Sequence, residues 1–141
     1  MKLAFVCVGN AGRSQLASAL AEAERERRDL SPEIVTGGTD SRDRVHPEVV
    51  EVLAEEGIDI GDRRPRKIRP EDVEDANHVV TMGCSIEEFR PEGWSGTTET
   101  WEVEHPDGED LDDYRAQREE IRERVRSLFD RIEAGEFADA S

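Results

Sequence analysis

The chain has 141 residues, a length that suits one domain around a single apolar core, residues 1–141. Asp plus Glu number 35 against 19 Lys plus Arg, giving a formal net charge of −16, so the surface repels nucleic acid and anionic membranes and excludes both as partners. Only Lys2 and Lys67 are lysines; this acidic, lysine-poor, aromatic-poor composition suits high salt, which screens self-repulsion, and a halophilic source is expected.

Taken in order, the elements alternate. Residues 2–7 form an apolar run of strand length, and Leu16, Ala19, Leu20 and Ala23 then repeat at helical spacing between Gln15 and Arg28. Glu33 to Thr36 reads as a second strand that Gly37-Gly38 ends. Pro47 suits the first turn of a helix carrying Val49, Val50, Val52 and Leu53, with Gly57 past its C-terminus. Residues 61–75 are polar, hold two prolines and predict a connection with one helical turn. His78 to Met82 is a third strand, and the alternation from Thr97 to Val103 predicts a fourth. Leu111 to Ile132 is a long amphipathic helix with Tyr114, Ile121, Val125, Leu128 and Ile132 on one face. Such alternation predicts an α/β fold, a doubly wound four-stranded parallel sheet with helices on both faces. Ligands of such sheets bind beyond the carboxyl ends of the strands, where Cys7, Cys84 and the loop after Trp101 fall.

The chemistry concentrates in Cys7-Val8-Gly9-Asn10-Ala11-Gly12-Arg13-Ser14. A strand that runs through a glycine-containing loop into a helix makes an oxyanion cradle, because backbone N–H groups at the helix N-terminus converge on one spot with partial positive charge. Cys7 at its floor meets the same field, which favours a thiolate nucleophile. Arg13 can give a tetrahedral oxyanion two parallel hydrogen bonds. Gly9 and Gly12 permit close backbone approach. Asn10 tolerates left-handed geometry and can brace the loop. Ser14 can donate to Cys7 or cap the helix. The substrate-binding set is therefore Val8, Gly9, Asn10, Ala11, Gly12, Arg13 and Ser14.

The segment Cys7 to Ala17 resembles the phosphate loop of the low-molecular-weight protein tyrosine phosphatase family, which includes thioredoxin- and mycothiol-linked arsenate reductases. Val45-His46-Pro47-Glu48-Val49-Val50 through Asp59 and Val79-Val80-Thr81-Met82-Gly83-Cys84 are similar to the reductase branch. The resemblance implies reduction of arsenate to arsenite through a covalent Cys7–oxyanion adduct. Two alternatives stay open. One is a phosphatase acting on phosphotyrosine or aryl phosphates through a Cys7 phosphoenzyme; the other is an oxyanion-binding or redox-responsive regulator with little turnover. In the family an aspartate before the proline of the later loop is the general acid or base; here His105 precedes Pro106, flanked by Glu104 and Asp107. Histidine titrates near neutral pH and is the candidate for proton transfer, with Glu104 and Asp107 as the others.

Cys84 stands near the position from which reductases of this type resolve the adduct. The chain has no third cysteine, so a three-cysteine relay is impossible; Gly12 stands where many relatives carry a loop cysteine. Either Cys84 forms a disulfide with Cys7 that an external thiol reduces, or a small thiol attacks the Cys7 adduct directly and Cys84 merely packs. The implied partners are a small oxyanion (arsenate, phosphate or sulfate) or a phosphotyrosine substrate, with a thioredoxin-like protein or small thiol as reductant. No bound cofactor and no metal are expected, since three histidines lack ligand spacing. His46 reads as helix-start geometry, His78 and the two tryptophans as structural, and Arg63, Arg64 and Arg66 as a solvated or ion-paired cluster. No run reaches about 18 apolar residues. One lysine before a short strand is not a secretion signal, and two cysteines are not a disulfide scaffold. A cytoplasmic monomer is expected.

Overall fold

The computed structural model describes residues 1–104, 106 and 110–137. Four strands, β1 (Lys2–Cys7), β2 (Glu33–Gly38), β3 (His78–Met82) and β4 (Thr97–Thr100), form one sheet in the order β2-β1-β3-β4. Every pairing is parallel. The helices are α1 (Arg13–Arg27), α2 (Pro47–Ala54), the short α3 (Pro70–Val73) and α4 (Leu111–Glu133), with a 3-10 turn at Ile86–Glu88.

The pleat of β1 divides the molecule into two cores, because successive side chains on a strand point to opposite faces. Leu3, Phe5 and Cys7 join the larger core, with Leu16 and Leu20 of α1, Val49, Val52 and Leu53 of α2, and Ile121, Val125, Leu128 and Phe129 of α4. Ala4 and Val6 join the smaller one, with Ile68, Val73, Val79, Ile86 and Phe89. The expected doubly wound architecture is present, but its two sides are unequal. Long helices cover one face, and the short α3, the 3-10 turn and their connections cover the other.

Helix α1 is rich in alanine and buried on most of its surface, wedged between sheet and α4. No acidic residue lies in its first turn, so nothing opposes the positive end of its dipole. Arg25 and Arg27 occupy its last turn, where cations are favoured. Gly57 takes a φ of +77° just beyond α2, as its place after that helix implied.

Two expectations about strand ends need correction. Strand β2 does not stop before Gly37-Gly38 but runs through both, because there the backbones of neighbouring segments come too close for side chains. A Cβ on Gly38 would lie 2.4 Å from the Val8 carbonyl oxygen. Strand β4 ends at Thr100, three residues short of Val103. Trp101 N–H still donates to Thr81 O at 2.9 Å, but Val103 N–H turns back to Trp101 O at 3.0 Å, which closes a tight bend in place of a ladder. Trp101 is buried against Phe5, ring centroids 5.7 Å apart.

Candidate active site

The loop between β1 and α1 is held from outside by its carbonyl groups. Cys7 O accepts from Thr39 N–H, Val8 O from Asp40 N–H, Gly9 O from Arg42 N–H and Ala11 O from His46 N–H, at 2.9–3.1 Å. Asn10 O accepts from Gln15 Nε2, and Gly12 O from Leu16 N–H within α1. With six successive carbonyls engaged outward, the peptide planes turn their N–H groups toward the loop centre. Residues 39–46 thus act as a scaffold for the cradle, and no local signal in the sequence marks them for it.

Cys7 lies at the floor, 2 % exposed. Its Sγ is 2.9 Å from Ser14 Oγ and accepts from Asn10 N–H at 3.2 Å. The direction of the Ser14 contact follows from its neighbours. Asn10 Oδ1 accepts from Arg66 N–H and Gln15 Nε2, so the Asn10 amide nitrogen faces the other way. That nitrogen donates to Ser14 Oγ at 2.7 Å and to Thr36 Oγ1 at 2.9 Å. Ser14 therefore accepts from Asn10 and turns its own proton to Cys7 Sγ. Two hydrogen bonds therefore converge on the sulfur, one from a hydroxyl and one from a backbone amide. Of the two roles open to Ser14, the structure shows the sulfur contact and no side-chain cap; Gly12 is the N-cap residue of α1.

Asn10 adopts a φ of +53°, the left-handed geometry that closes the loop. It is fully buried and holds strand β2, helix α1 and the segment at Arg66 together. Gln15 leaves its own Oε1 buried without a partner among the described residues, a cost of about 1–3 kcal/mol accepted where Nε2 braces Asn10 twice. Thr36, Gln15 and the Arg66 backbone belong to the site, and the sequence alone marks none of them.

Arg13 opens α1, and its Nη1 donates to Val103 O at 3.0 Å, tying the guanidinium to the bend after β4. Gly83 makes room for it. That residue has a φ of +77°, and a Cβ there would lie 2.8 Å from Arg13 Nη1. Cys84 follows, half-buried with Val6 and the smaller core, and its thiol donates to Val6 O at 3.6 Å. Burial is the main cause that pushes this thiol up to about 11; Cys7 raises it further, while the Met82 backbone and Arg13 pull it down. Both cysteines are free. They belong to different cores, Cys7 on the α1 side of the sheet and Cys84 on the α3 side.

Above the cradle lies a cleft of about 490 Å³ lined by Cys7, Val8, Gly9, Ala11, Gly12 and Arg13 and by Arg42, Asp43, Arg44 and His46. Glu104 closes the bend, its carbonyl accepting from Gln117 Nε2 of α4. His105 and Asp107, the other proton-transfer candidates, lie outside the described residues. Among the described residues no cluster of His, Cys, Asp or Glu could hold a metal. His78 is a buried structural residue, bonded to Thr97 and to Glu99 at 2.6 Å each. Arg63 pairs with Glu22 and Arg66 with Asp72, and Trp94 donates to Ala76 O at the far end of the sheet.

A family model described as low molecular weight phosphotyrosine protein phosphatase matches residues 2–136. The chain belongs to this family. Within it, the chain is 49 % identical over 131 residues to a Halobacterium salinarum protein provisionally named an arsenate reductase, covering 92 % of this chain and 91 % of that one. A thioredoxin-dependent arsenate reductase of Corynebacterium glutamicum superposes with a TM-score of 0.77 at 32 % identity. That match covers 95 % of this chain and 62 % of the other. An arginine phosphatase of Geobacillus stearothermophilus superposes with a TM-score of 0.78 at 25 % identity, over 99 % and 97 % of the two chains. The low molecular weight phosphatase fold thus carries relatives named for both chemistries, and the Corynebacterium reductase is named for its dependence on thioredoxin. No helix among the described residues is long and apolar enough to cross a membrane.

Proposed function

We propose that the protein is a thiol-dependent arsenate reductase in which Cys7 is the nucleophile and Arg13 with the loop amides of residues 8–14 holds the oxyanion. The observation that carries this reading is the hydrogen-bonded Cys7–Ser14–Asn10 chain at the floor of a cradle whose carbonyls all face outward. The 49 % identity to the Halobacterium protein favours arsenate as the oxyanion. Cys7 attacks arsenic, water leaves, and a thiol–arsenate adduct forms without change of oxidation state. A second thiol then takes Cys7 Sγ, and arsenic leaves as arsenite with the electron pair of the broken S–As bond. His105 is our candidate for delivering protons to the departing water. Such chemistry needs a reducing thiol pool, which places the protein in the cytoplasm.

A phosphatase reading keeps one specific support, the near-complete superposition on an arginine phosphatase. The two separate in one experiment. The reduced protein is incubated with arsenate and excess thiol in high salt, arsenite is quantified, and intact mass follows the thiols. Arsenite release that consumes the thiol and is abolished by Cys7→Ser is the expected result. Hydrolysis of an aryl phosphate without arsenite, abolished by Cys7→Ser, would replace this reading by the phosphatase.

A further inference from the structure

We propose that Arg42 and Arg44 form a second subsite, on the open side of the oxyanion cradle, that binds the carboxylates of a small anionic thiol and so selects the electron donor. This rests on the reductase reading of Cys7.

The first argument is charge. Among the described residues twelve of the seventeen arginines pair with carboxylates. With acidic residues in such excess, pairing is the default. Arg42 and Arg44 form no ion pair among the described residues, although Asp43 stands between them and lines the same cleft. With Arg13 they place three cations around one opening in a molecule of net charge −16. Three cations against the Asp43 carboxylate leave the cleft lining net positive, which raises the local concentration of anions.

The second argument is placement. Arg42 is not a loose surface side chain at its base. Its N–H donates to Gly9 O at 2.9 Å, and its stem lies over Gly9, where a Cβ would come within 2.9 Å of Arg42 Cγ. The rim and the cradle are therefore built as one unit. The third argument is room. A five-atom oxyanion fills a small part of the 490 Å³ cleft, which falls in the range of about 300–1,000 Å³ typical of sites for larger ligands.

The fourth argument is the route of the second thiol. Cys84 packs on the opposite face of the sheet, and no further cysteine exists. The donor must then reach Cys7 Sγ through the open side of the cradle, past Arg42 and Arg44. The donor thiolate attacks Cys7 Sγ; the S–S bond forms as the S–As bond breaks, and its electron pair remains on arsenic. Arsenic passes from the +5 to the +3 state, and the proton of the donor thiol ends on an arsenite oxygen. A second molecule of the same thiol attacks the donor sulfur of the mixed disulfide, freeing Cys7 as a thiol and leaving the symmetric disulfide.

The test uses thiol–disulfide exchange, which involves no arsenic. In a Cys84→Ser background, Cys7 is mixed with glutathione disulfide (anionic), hydroxyethyl disulfide (neutral) or cystamine (cationic), and the mixed disulfide is followed by intact mass at two salt concentrations. We expect the anionic probe to outpace the cationic one at low salt, and the double change Arg42→Glu, Arg44→Glu to lower that ratio about tenfold or more. Arg42→Gln, Arg44→Gln should fall between. A ratio that both double variants leave unchanged overturns the subsite. Arsenate turnover with glutathione and with neutral 2-mercaptoethanol then separates the layers. No arsenite from either thiol in the wild type defeats the reductase reading alone. Turnover with both thiols, at a ratio the double variants do not shift, defeats the subsite alone.

Discussion

Cys7 and Cys84 follow the same course as far as the strands go and then diverge. Both lie at the carboxyl ends of adjacent parallel strands, and Cys7 pairs in register with Met82, two residues before Cys84. After Cys7 the chain winds through a loop whose carbonyls are all engaged from outside, and α1 returns Ser14 to the sulfur. After Met82 the chain turns at Gly83 and lays Cys84 into apolar surroundings, where burial holds its proton on. The same residue type at equivalent ends of one sheet becomes a candidate nucleophile in one place and a packed thiol in the other. The loop that follows makes the difference, through the number of donors it aims at the sulfur.

That contrast can be broken in several ways. The largest effect is expected from Cys7→Ser, which should reduce turnover about 10⁴-fold or more while isothermal titration with arsenate or phosphate still shows binding. Next comes Gly83→Val. A side chain there meets the Arg13 guanidinium on a left-handed backbone, and kcat/KM should fall about 100-fold with weaker oxyanion binding. Asn10→Ala removes the donor to Ser14 and three braces of the loop; thermal or urea denaturation should show a loss of about 1–3 kcal/mol, with lower activity besides. Cys84→Ser is expected to change turnover with small thiols by less than about twofold, because its thiol is neither activated nor on the Cys7 face. A large loss there, with a Cys7–Cys84 disulfide in the wild type, would assign Cys84 the resolving role.

The smallest effect concerns acid stability at Glu99 of β4. Glu99 is held down to about 2, chiefly by its bond to His78 and further by Arg131. A carboxylate whose folded value is depressed stabilises fully above its unfolded value and loses that contribution as pH falls through the folded one. Glu99→Gln should therefore lower the urea midpoint near pH 6 and narrow its difference from wild type as pH drops from 4.5 toward 2.

Much of this was legible in the chain. The run into Cys7, the spacing to Arg13 and the helical repeat after Ser14 are local signals, and strand, loop and helix formed where they predict. The alternation of elements led to the parallel sheet for the same reason. What stayed hidden depends on contacts distant in sequence. Gly37-Gly38 look like a stop signal, yet they continue β2 because segments 8–10 and 66–68 press against them. The residues from Thr97 to Val103 alternate like one strand, but the β3 partner ends at Met82 and the ladder ends with it.

Local signals alone put Cys7 at a strand end before a helix N-terminus, with five residues between it and Arg13, because backbone preference and hydrophobic period act over a few residues. Long-range packing sets which way Ser14 turns its proton, which face of the sheet receives Cys84, and that Arg42 and Arg44 line one cleft with the cradle. Hydrogen-bond direction, strand pleat and ion pairing each depend on partners that the fold brings together from tens of residues apart.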